Sequence, residues 1–382
     1  PTTVFANIDV NGGAIDGTPI GASSASTGAF TNITASGTAG ITGNTTIGGT
    51  LGVTGDTTLV NANITGTLSF DGGEGALKTF LGGNGSGNTP TFDEVELDDI
   101  KDVLVEDNSL YIGGDADTRS GATNTAQYNI AVGATALNAV TTGDQNVAIG
   151  HDALGAAQTA IGDVAIGYQA GAAITTTSGK NVLVGFNAGS ALTSGSGSTV
   201  IGYNALQVNT TGNYTTAIGK DALRTLNTDG GSNNPEHNTA VGFEAGFNAT
   251  YGDKGTYIGS EAGKAVTTAS NNTFIGALAG VATTTGEENV AIGAQAFDTN
   301  ITGNQSVAVG YQSLFTSNTT NSRNVAVGHK AGYATNTGVQ NAFVGYAAGV
   351  ANTTGSNNIA LGSGSLLSNT VGSSNVSLGK SS

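Results

Sequence analysis

Asn289-Val290-Ala291-Ile292-Gly293 is one copy of a short pattern that recurs through the C-terminal two thirds of the chain. Each copy closes on a glycine, and successive closing glycines are 17 residues apart, except for two intervals of 18 and one of 23. A period this short and regular predicts stacked coils of one supersecondary unit rather than a set of independent domains. The closing glycines are Gly133, Gly150, Gly167, Gly185, Gly202, Gly219, Gly242, Gly259, Gly276, Gly293, Gly310, Gly328, Gly345, Gly362 and Gly379.

Aliphatic residues alternate within each copy, which indicates a strand. The residue before the closing glycine is always Val, Ile or Leu, and the residue two positions earlier is mostly β-branched. Side chains two positions apart lie on one face of a strand, so both columns are predicted to form the core. Extended alternation through the glycine also predicts that the aromatic or His residue one position later and the Ala or Ser three positions later point inward, with the polar residue between them outward.

Two further columns indicate how the coils stack. Ten of the fifteen copies begin with Asn four residues before the closing glycine, and nine carry a second glycine ten residues after it. Asparagines stacked at about 4.8 Å are predicted to form an amide ladder along one edge of the solenoid. The second glycine predicts the turn between two strands of one coil.

Composition limits the classes of function. With 62 glycines and 6% aromatic residues in 382, the chain has too few large side chains for wide globular cores, which favours a thin, elongated protein. Eleven basic against 27 acidic residues argue against a nucleic-acid partner. The chain has no Cys and no run of 18 apolar residues, so the sequence predicts neither thiolate metal sites nor membrane insertion.

The sequence divides into three parts. Residues 1–70 are rich in Gly, Thr, Ser and Asn with sparse aliphatics, and are interpreted as a narrow shaft in which several chains wind together. Residues 71–125 combine a glycine-rich joint with an acidic stretch, and are interpreted as a flexible and acidic connector. Residues 126–382 hold the repeats.

The repeated Asn-Val-Ala-Ile-Gly-x-x-Ala motif resembles the head repeats of trimeric YadA-like adhesins. This resemblance covers about two thirds of the chain and implies a left-handed parallel β-roll with three chains around one axis. The expected fold is therefore all-β: an elongated homotrimeric β-solenoid of 17-residue coils, left-handed and β-roll-like, preceded by a thin N-terminal fibrous shaft.

The whole layout resembles the tail fibres of phages, especially those of marine and cyanobacterial hosts. Ile15-Asp16-Gly17-Thr18-Pro19-Ile20-Gly21, followed by Ser26-Thr27-Gly28-Ala29-Phe30-Thr31-Asn32-Ile33-Thr34, looks like the start of the shaft in such fibres. The resemblance implies a non-enzymatic virion protein, extracellular, that attaches to the host surface. Its expected partners are itself as a homotrimer, other virion tail proteins, and a host cell-surface glycan or protein. It also implies a chaperone domain removed by cleavage after Ser382.

Two other functions stay open. The fibre could be a structural spacer that holds a separate receptor-binding tip. A polysaccharide depolymerase needs two carboxylates on one groove, about 5 to 10 Å apart. Glu244 and Glu261 share a column in adjacent coils and are the pair to check, although the same column elsewhere holds Gln and Asn, which favours a solvated face.

No catalytic, cofactor or metal site is predicted. His151 and His329 could form three-His rings in a trimer, but they replace Tyr or Phe in the aromatic column, which favours a packing role. The three histidines also lack the partners of a Ser-His-Asp set.

The 23-residue interval contains the insertion, within residues 227–237. Insertions in solenoids form loops, and such loops often carry binding; a tolerated surface insertion is the alternative. The candidate receptor contacts are Asn227, Asp229, Asn233, Asn234, Glu236 and His237.

Overall fold

A computed structural model describes residues 103–113, 125–175, 179–226 and 236–382. These residues form an all-β parallel solenoid of about 14 turns with ~17-residue coils, and none of them is helical. The repeat period and the all-β class are therefore confirmed. The shaft predicted for residues 1–70 lies outside the described ranges.

One sheet of seventeen strands runs along the solenoid. Strands β2 to β17 pair in parallel with their neighbours in chain order, always in register, so that Val290 pairs with Val307 and Ile292 with Val309. Each coil contributes a single strand of three residues, where two strands were predicted, and turns make up the rest of the coil. The strands are β1 Val103–Glu106, β2 Ser109–Ile112, β3 Ile130–Val132, β4 Val147–Ile149, β5 Val164–Ile166, β6 Val182–Val184, β7 Thr199–Ile201, β8 Thr216–Ile218, β9 Thr239–Val241, β10 Thr256–Ile258, β11 Thr273–Ile275, β12 Val290–Ile292, β13 Val307–Val309, β14 Val325–Val327, β15 Ala342–Val344, β16 Ile359–Leu361 and β17 Val376–Leu378.

The first two strands form an antiparallel hairpin, with Glu106 opposite Ser109. Asp107 and Asn108 make the two-residue turn at φ +47° and +60°, as a type I′ turn requires. Strand β1 thereby covers the edge of β2 that faces away from β3. Because an exposed sheet edge can pair with other chains, this hairpin protects the first strand of the parallel sheet. Both strands lie within residues 71–125, so the sheet begins inside the segment interpreted as a connector.

The amide ladder is confirmed, but it lies inside the solenoid rather than at its edge. The Asn289 backbone N–H donates to Asn272 Oδ1 at 2.9 Å, and Asn289 Nδ2 donates to the Gly303 carbonyl at 2.7 Å. Asn289 Oδ1 in turn accepts the backbone N–H of Ser306 at 3.0 Å. Asn289 is 0% exposed, and each such residue joins three successive coils through backbone groups that would otherwise be buried without partners.

Asp163 replaces asparagine in this ladder. Its Oδ1 accepts hydrogen bonds from the N and Nδ2 of Asn181, at 2.8 and 3.0 Å, whereas Oδ2 is buried without a partner among the described residues. Burial raises the pKa of Asp163, and the two bonds from Asn181 oppose that rise only in part. Folding therefore shifts the protonation equilibrium of Asp163 towards the neutral acid.

The assignment of inner and outer columns was wrong for the aliphatic residues. The middle residue of each strand points into the solenoid, as Ala291 does at 0% exposure, while the flanking Ile292 is 38% exposed. The Ala column three residues after the closing glycine is buried as predicted, as Ala296 shows. The buried asparagine lies on the same face of the strand as the middle residue, so the aliphatic residues of the other face point outward. A Cβ on Gly293 would lie 2.6 Å from the Gly310 carbonyl oxygen, so the close stacking of successive coils requires glycine there.

The interior volume is shared between two columns. A large residue in the middle of a strand is accompanied by glycine six residues later, and a small one usually by Leu or Phe. The first kind comprises Leu183 with Gly189, Tyr257 with Gly263, Phe274 with Gly280, and Phe343 with Gly349; the second comprises Ala131 with Leu137, Ala148 with Leu154, Ala217 with Leu223, Ala291 with Phe297, and Ala308 with Leu314. Close packing of protein interiors explains this exchange.

Breaking one such pair has a predictable cost. Phe343→Ala should destabilise the protein by about 3 to 5 kcal/mol through the cavity it leaves. Gly349→Leu alone should also destabilise it, because a Cβ there would lie 2.5 Å from Phe343 Cδ1. The double variant recreates the pairing of Ala148 with Leu154, so we expect a favourable coupling of about 1 to 3 kcal/mol in urea unfolding. Additive losses would contradict this account of the core.

Asp163→Asn should stabilise the protein at pH 7 by about 1 to 3 kcal/mol, because it restores a neutral donor at a buried position. Since the folded pKa of Asp163 is raised, its contribution is most favourable below the unfolded pKa of about 3.9 and is lost as pH rises through the folded pKa. The advantage of the variant should therefore shrink towards pH 4 in thermal unfolding scans. Asn146→Asp is the matched control and should create the same pH-dependent loss.

Candidate functional site

The outward surface of the sheet, here called the strand face, consists of the first and third residues of each strand. Its third residues are large and partly solvent-exposed in the single chain: Ile149, Ile166, Ile201 and Ile292 are 37–38% exposed, and Leu361 is 50% exposed. Most first residues are Val, Ile or Thr. The third residues therefore form a continuous apolar strip along the strand face, while Thr occupies the first column from Thr199 to Thr273. Contiguous apolar patches of this kind mark interaction surfaces.

The aromatic residues that follow the closing glycines also point outward, which corrects the inward prediction. This row, here called the ring column, borders the strand face. The rings of His151, Tyr168, Phe186 and Tyr203 stack in succession with centroids 5.4, 4.9 and 5.3 Å apart. A second stack joins Tyr311, His329 and Tyr346 at 5.3 and 5.1 Å.

The next column, polar in most coils, was predicted to face outward, and the structure supports this only in part. Asn204 is 8% exposed and Asp221 is 6% exposed. A positive φ at these residues, +52° and +57°, bends the chain between the exposed ring column and the buried Ala column. Their side chains consequently lie against the neighbouring coils rather than extending into solvent.

The pair Glu244 and Glu261 occupies adjacent coils as expected, and Lys264 bridges the two carboxylates. Lys264 Nζ lies 2.6 Å from Glu244 Oε2 and 2.9 Å from Glu261 Oε2. The hydrogen bond to Glu244, followed by that to Glu261, raises the pKa of Lys264. Both carboxylates are thus held on one ammonium group, an arrangement that suits a structural ion pair better than an acid and a base that act independently.

The histidines take part in ring packing. His151 Nδ1 lies 3.2 Å from Asp152 Oδ2 as well as stacking on Tyr168, and His329 lies between two tyrosines. Within the part of the chain that the structure describes, no group of three or more His, Asp or Glu side chains is placed to hold a metal ion. The three-His ring would require separate copies of the chain.

The candidate receptor contacts are only partly visible. Asn227, Asp229, Asn233 and Asn234 fall outside the described ranges, whereas Glu236 and His237 lie at the start of the next coil. Glu236 Oε1 accepts Asn213 Nδ2 at 2.9 Å, and its backbone N–H donates to Asp253 Oδ1 at 3.1 Å.

His237 is the more exposed of these two described candidates. Its ring stacks on Tyr214 with centroids 5.3 Å apart, and its side chain is 55% exposed. The structure therefore places Glu236 and His237 together just before strand β9, against the coils of Asn213 and Asp253.

Sequence reasoning missed the strand face as a surface, although a signal was present. Asparagines four residues before the closing glycine can satisfy backbone groups of stacked coils only from inside. Two positions later, on the same face of the strand, lies the middle residue, so the columns before and after that residue must point outward. Hydrophobicity favoured the opposite choice.

Comparisons with known proteins place the chain in no family. No protein-family model matches the sequence, and no curated protein is significantly similar to it. Across the described ranges, no helix has the length and apolar character needed to cross a membrane.

Proposed function

We propose that the protein is a phage tail fibre: a homotrimer, non-enzymatic and extracellular in the virion, that attaches the particle to a host-surface glycan or protein. The observation that carries the proposal is the apolar strand face of the single chain, with Ile292 38% and Leu361 50% exposed. Burying such a surface against other copies is favourable by roughly 25 cal/mol per Å² of apolar area.

Three copies around one axis would cover the strand face in a way that matches its shape. The strip runs in register along consecutive coils, so every coil of one copy meets the equivalent coil of the next. A closed ring of three leaves no copy with an open apolar face. The proposed fold is accordingly a left-handed, trimeric β-roll that follows a thin shaft, joined at its base to other tail proteins.

Attachment rather than mere spacing is favoured by the uneven surface outside the strand face. Polar and aromatic side chains outside the strand face differ from coil to coil, and the sequence carries an insertion before Glu236. A trimeric fibre multiplies weak contacts by its copy number. A structural spacer remains the second candidate, and its surface would have no affinity for cells.

Native mass spectrometry of the full chain tests the assembly, and a trimer is expected. Ile292→Glu places three carboxylates inside the proposed interface, so it should shift the protein towards monomer or lower its melting temperature by several degrees. Thr285→Glu, at an exposed turn position of the preceding coil, is the control and should have no such effect. A monomeric wild-type chain would overturn the architecture.

Cell binding separates attachment from spacing. The fluorescently labelled full chain is expected to bind a panel of cultured marine cyanobacteria and to compete with phage adsorption, whereas a spacer would do neither. Incubation with purified capsule addresses the depolymerase alternative, since release of oligosaccharide would contradict the non-enzymatic proposal.

A further inference from the structure

The ring column has one interruption that extends over three consecutive coils of the described repeats. Between Phe243 and Tyr311 the three intervening positions carry Ser260, Ala277 and Ala294. The backbone remains continuous there, because the residues that follow them donate to the preceding coil in the usual way: Leu278 N to the Ser260 carbonyl at 2.9 Å and Gln295 N to the Ala277 carbonyl at 2.9 Å. The coils are present, but the rings are missing.

The interruption is a groove, here called the ring gap. Four coil steps of about 4.8 Å separate Phe243 from Tyr311, so the rings at its two ends are about 19 Å apart. Its floor is made of small side chains, with Ser260 and Ala277 exposed and Ala294 half-buried. The walls at the two ends are aromatic rings that are 41% and 44% exposed.

The two end rings present free faces towards the gap. Inside a stack, each ring is covered on both sides, as His329 is by Tyr311 and Tyr346 at about 5 Å. Tyr311 is covered by His329 on one side only, and its other face is turned towards the coil of Ala294. Phe243 has the Lys220 ammonium 5.3 Å from its centroid on one side, and its other face is turned towards the coil of Ser260.

Polar groups line one side of the gap. Gln295 lies beside the floor, and its Oε1 accepts a hydrogen bond from Gln312 Nε2 at 3.0 Å. The N–H₂ group of Gln295 takes no part in that bond. Glu261 also lies on this side, with its charge engaged by Lys264. With two glutamates sharing one lysine, the flank carries a net negative charge, which disfavours an anionic ligand.

We propose that the ring gap is a binding site for a short, neutral oligosaccharide of the host surface. A pyranose ring has an apolar C–H face and a rim of hydroxyls, so it can pack on the face of Phe243 or Tyr311 while its hydroxyls bond to the amide of Gln295 and the carboxylate of Glu261. Sites of this kind combine apolar walls with a few convergent polar groups. The inference rests on the attachment function and names the class of receptor.

Filling the gap is the most direct test. Ala277→Tyr places a ring where the column has none, and other coils hold Tyr at the same position, as at Tyr168, so the fold should accept it. Ser363→Tyr is the matched control, because it adds a ring to the same column outside the gap. Native mass spectrometry and melting temperature should be unchanged for both variants.

The full chain is applied to a printed array of neutral and acidic bacterial surface oligosaccharides, and the strongest ligand is then titrated by calorimetry. We expect neutral oligosaccharides to bind, Ala277→Tyr to weaken binding at least about tenfold, and Ser363→Tyr to leave it unchanged. Phe243→Ala and Tyr311→Ala should each weaken binding about tenfold through the loss of one stacking face.

Other results would contradict the proposed binding site without contradicting the attachment function. Equal binding by Ala277→Tyr and Ser363→Tyr would place the ligand elsewhere, and retention of only acidic oligosaccharides would contradict the charge argument. If Ala277→Tyr breaks the trimer, the gap is filled by a neighbouring copy. If wild-type chain binds cells but no oligosaccharide, the receptor is of another class; if it binds neither, the attachment proposal fails as well.

Discussion

The close approach of successive coils is the constraint on which the rest of the structure depends. Every closing glycine in the described repeats adopts φ between +118° and +142°, and nearly all have the next closing glycine so close that a Cβ would overlap its backbone. This contact holds successive coils close together and in register, so equivalent residues form continuous rows. The asparagine before each strand and the middle residue of the strand lie on one face and point into the solenoid, so the Val and Ile columns of the opposite face point outward.

The buried asparagines provide hydrogen-bond partners for backbone N–H and C=O groups inside the coils. A helix or a wide sheet would satisfy its own peptide groups, whereas three-residue strands joined by turns leave many groups to be satisfied by side chains. Asn289 does so for three coils at once through its backbone N–H, its Oδ1 and its Nδ2. The departures are informative: Asp163 supplies acceptors but needs a proton to donate, so its burial costs free energy at neutral pH.

The outer surface follows from the same constraint. Columns that point outward are aligned by the register into long rows, as the apolar strand face and the stacked ring column show. Rings stacked about 5 Å apart cover one another's faces. A break in the row exposes the faces of the two end rings, whereas another ring would only extend the stack. The interval from Phe243 to Tyr311 is such a break, and it lies on coils whose interior holds the large side chains Tyr257, Phe274 and Phe297.

The sequence by itself determined the period, the strand at each repeat, the asparagine ladder and the buried Ala column, because a one-dimensional repeat places equivalent residues above one another. It also indicated the candidate loop around the insertion, although only Glu236 and His237 of that set lie in the described ranges. Apolar alternation alone is the same for either choice of inward face, and the tertiary structure showed that the face with the asparagine and the middle strand residue points inward. The exchange of volume between Phe343 and Gly349 depends on a distance across one coil, and the free ring faces at Phe243 and Tyr311 depend on the distance between coils. No residue pattern states either distance, because both arise from how the chain folds within and between coils.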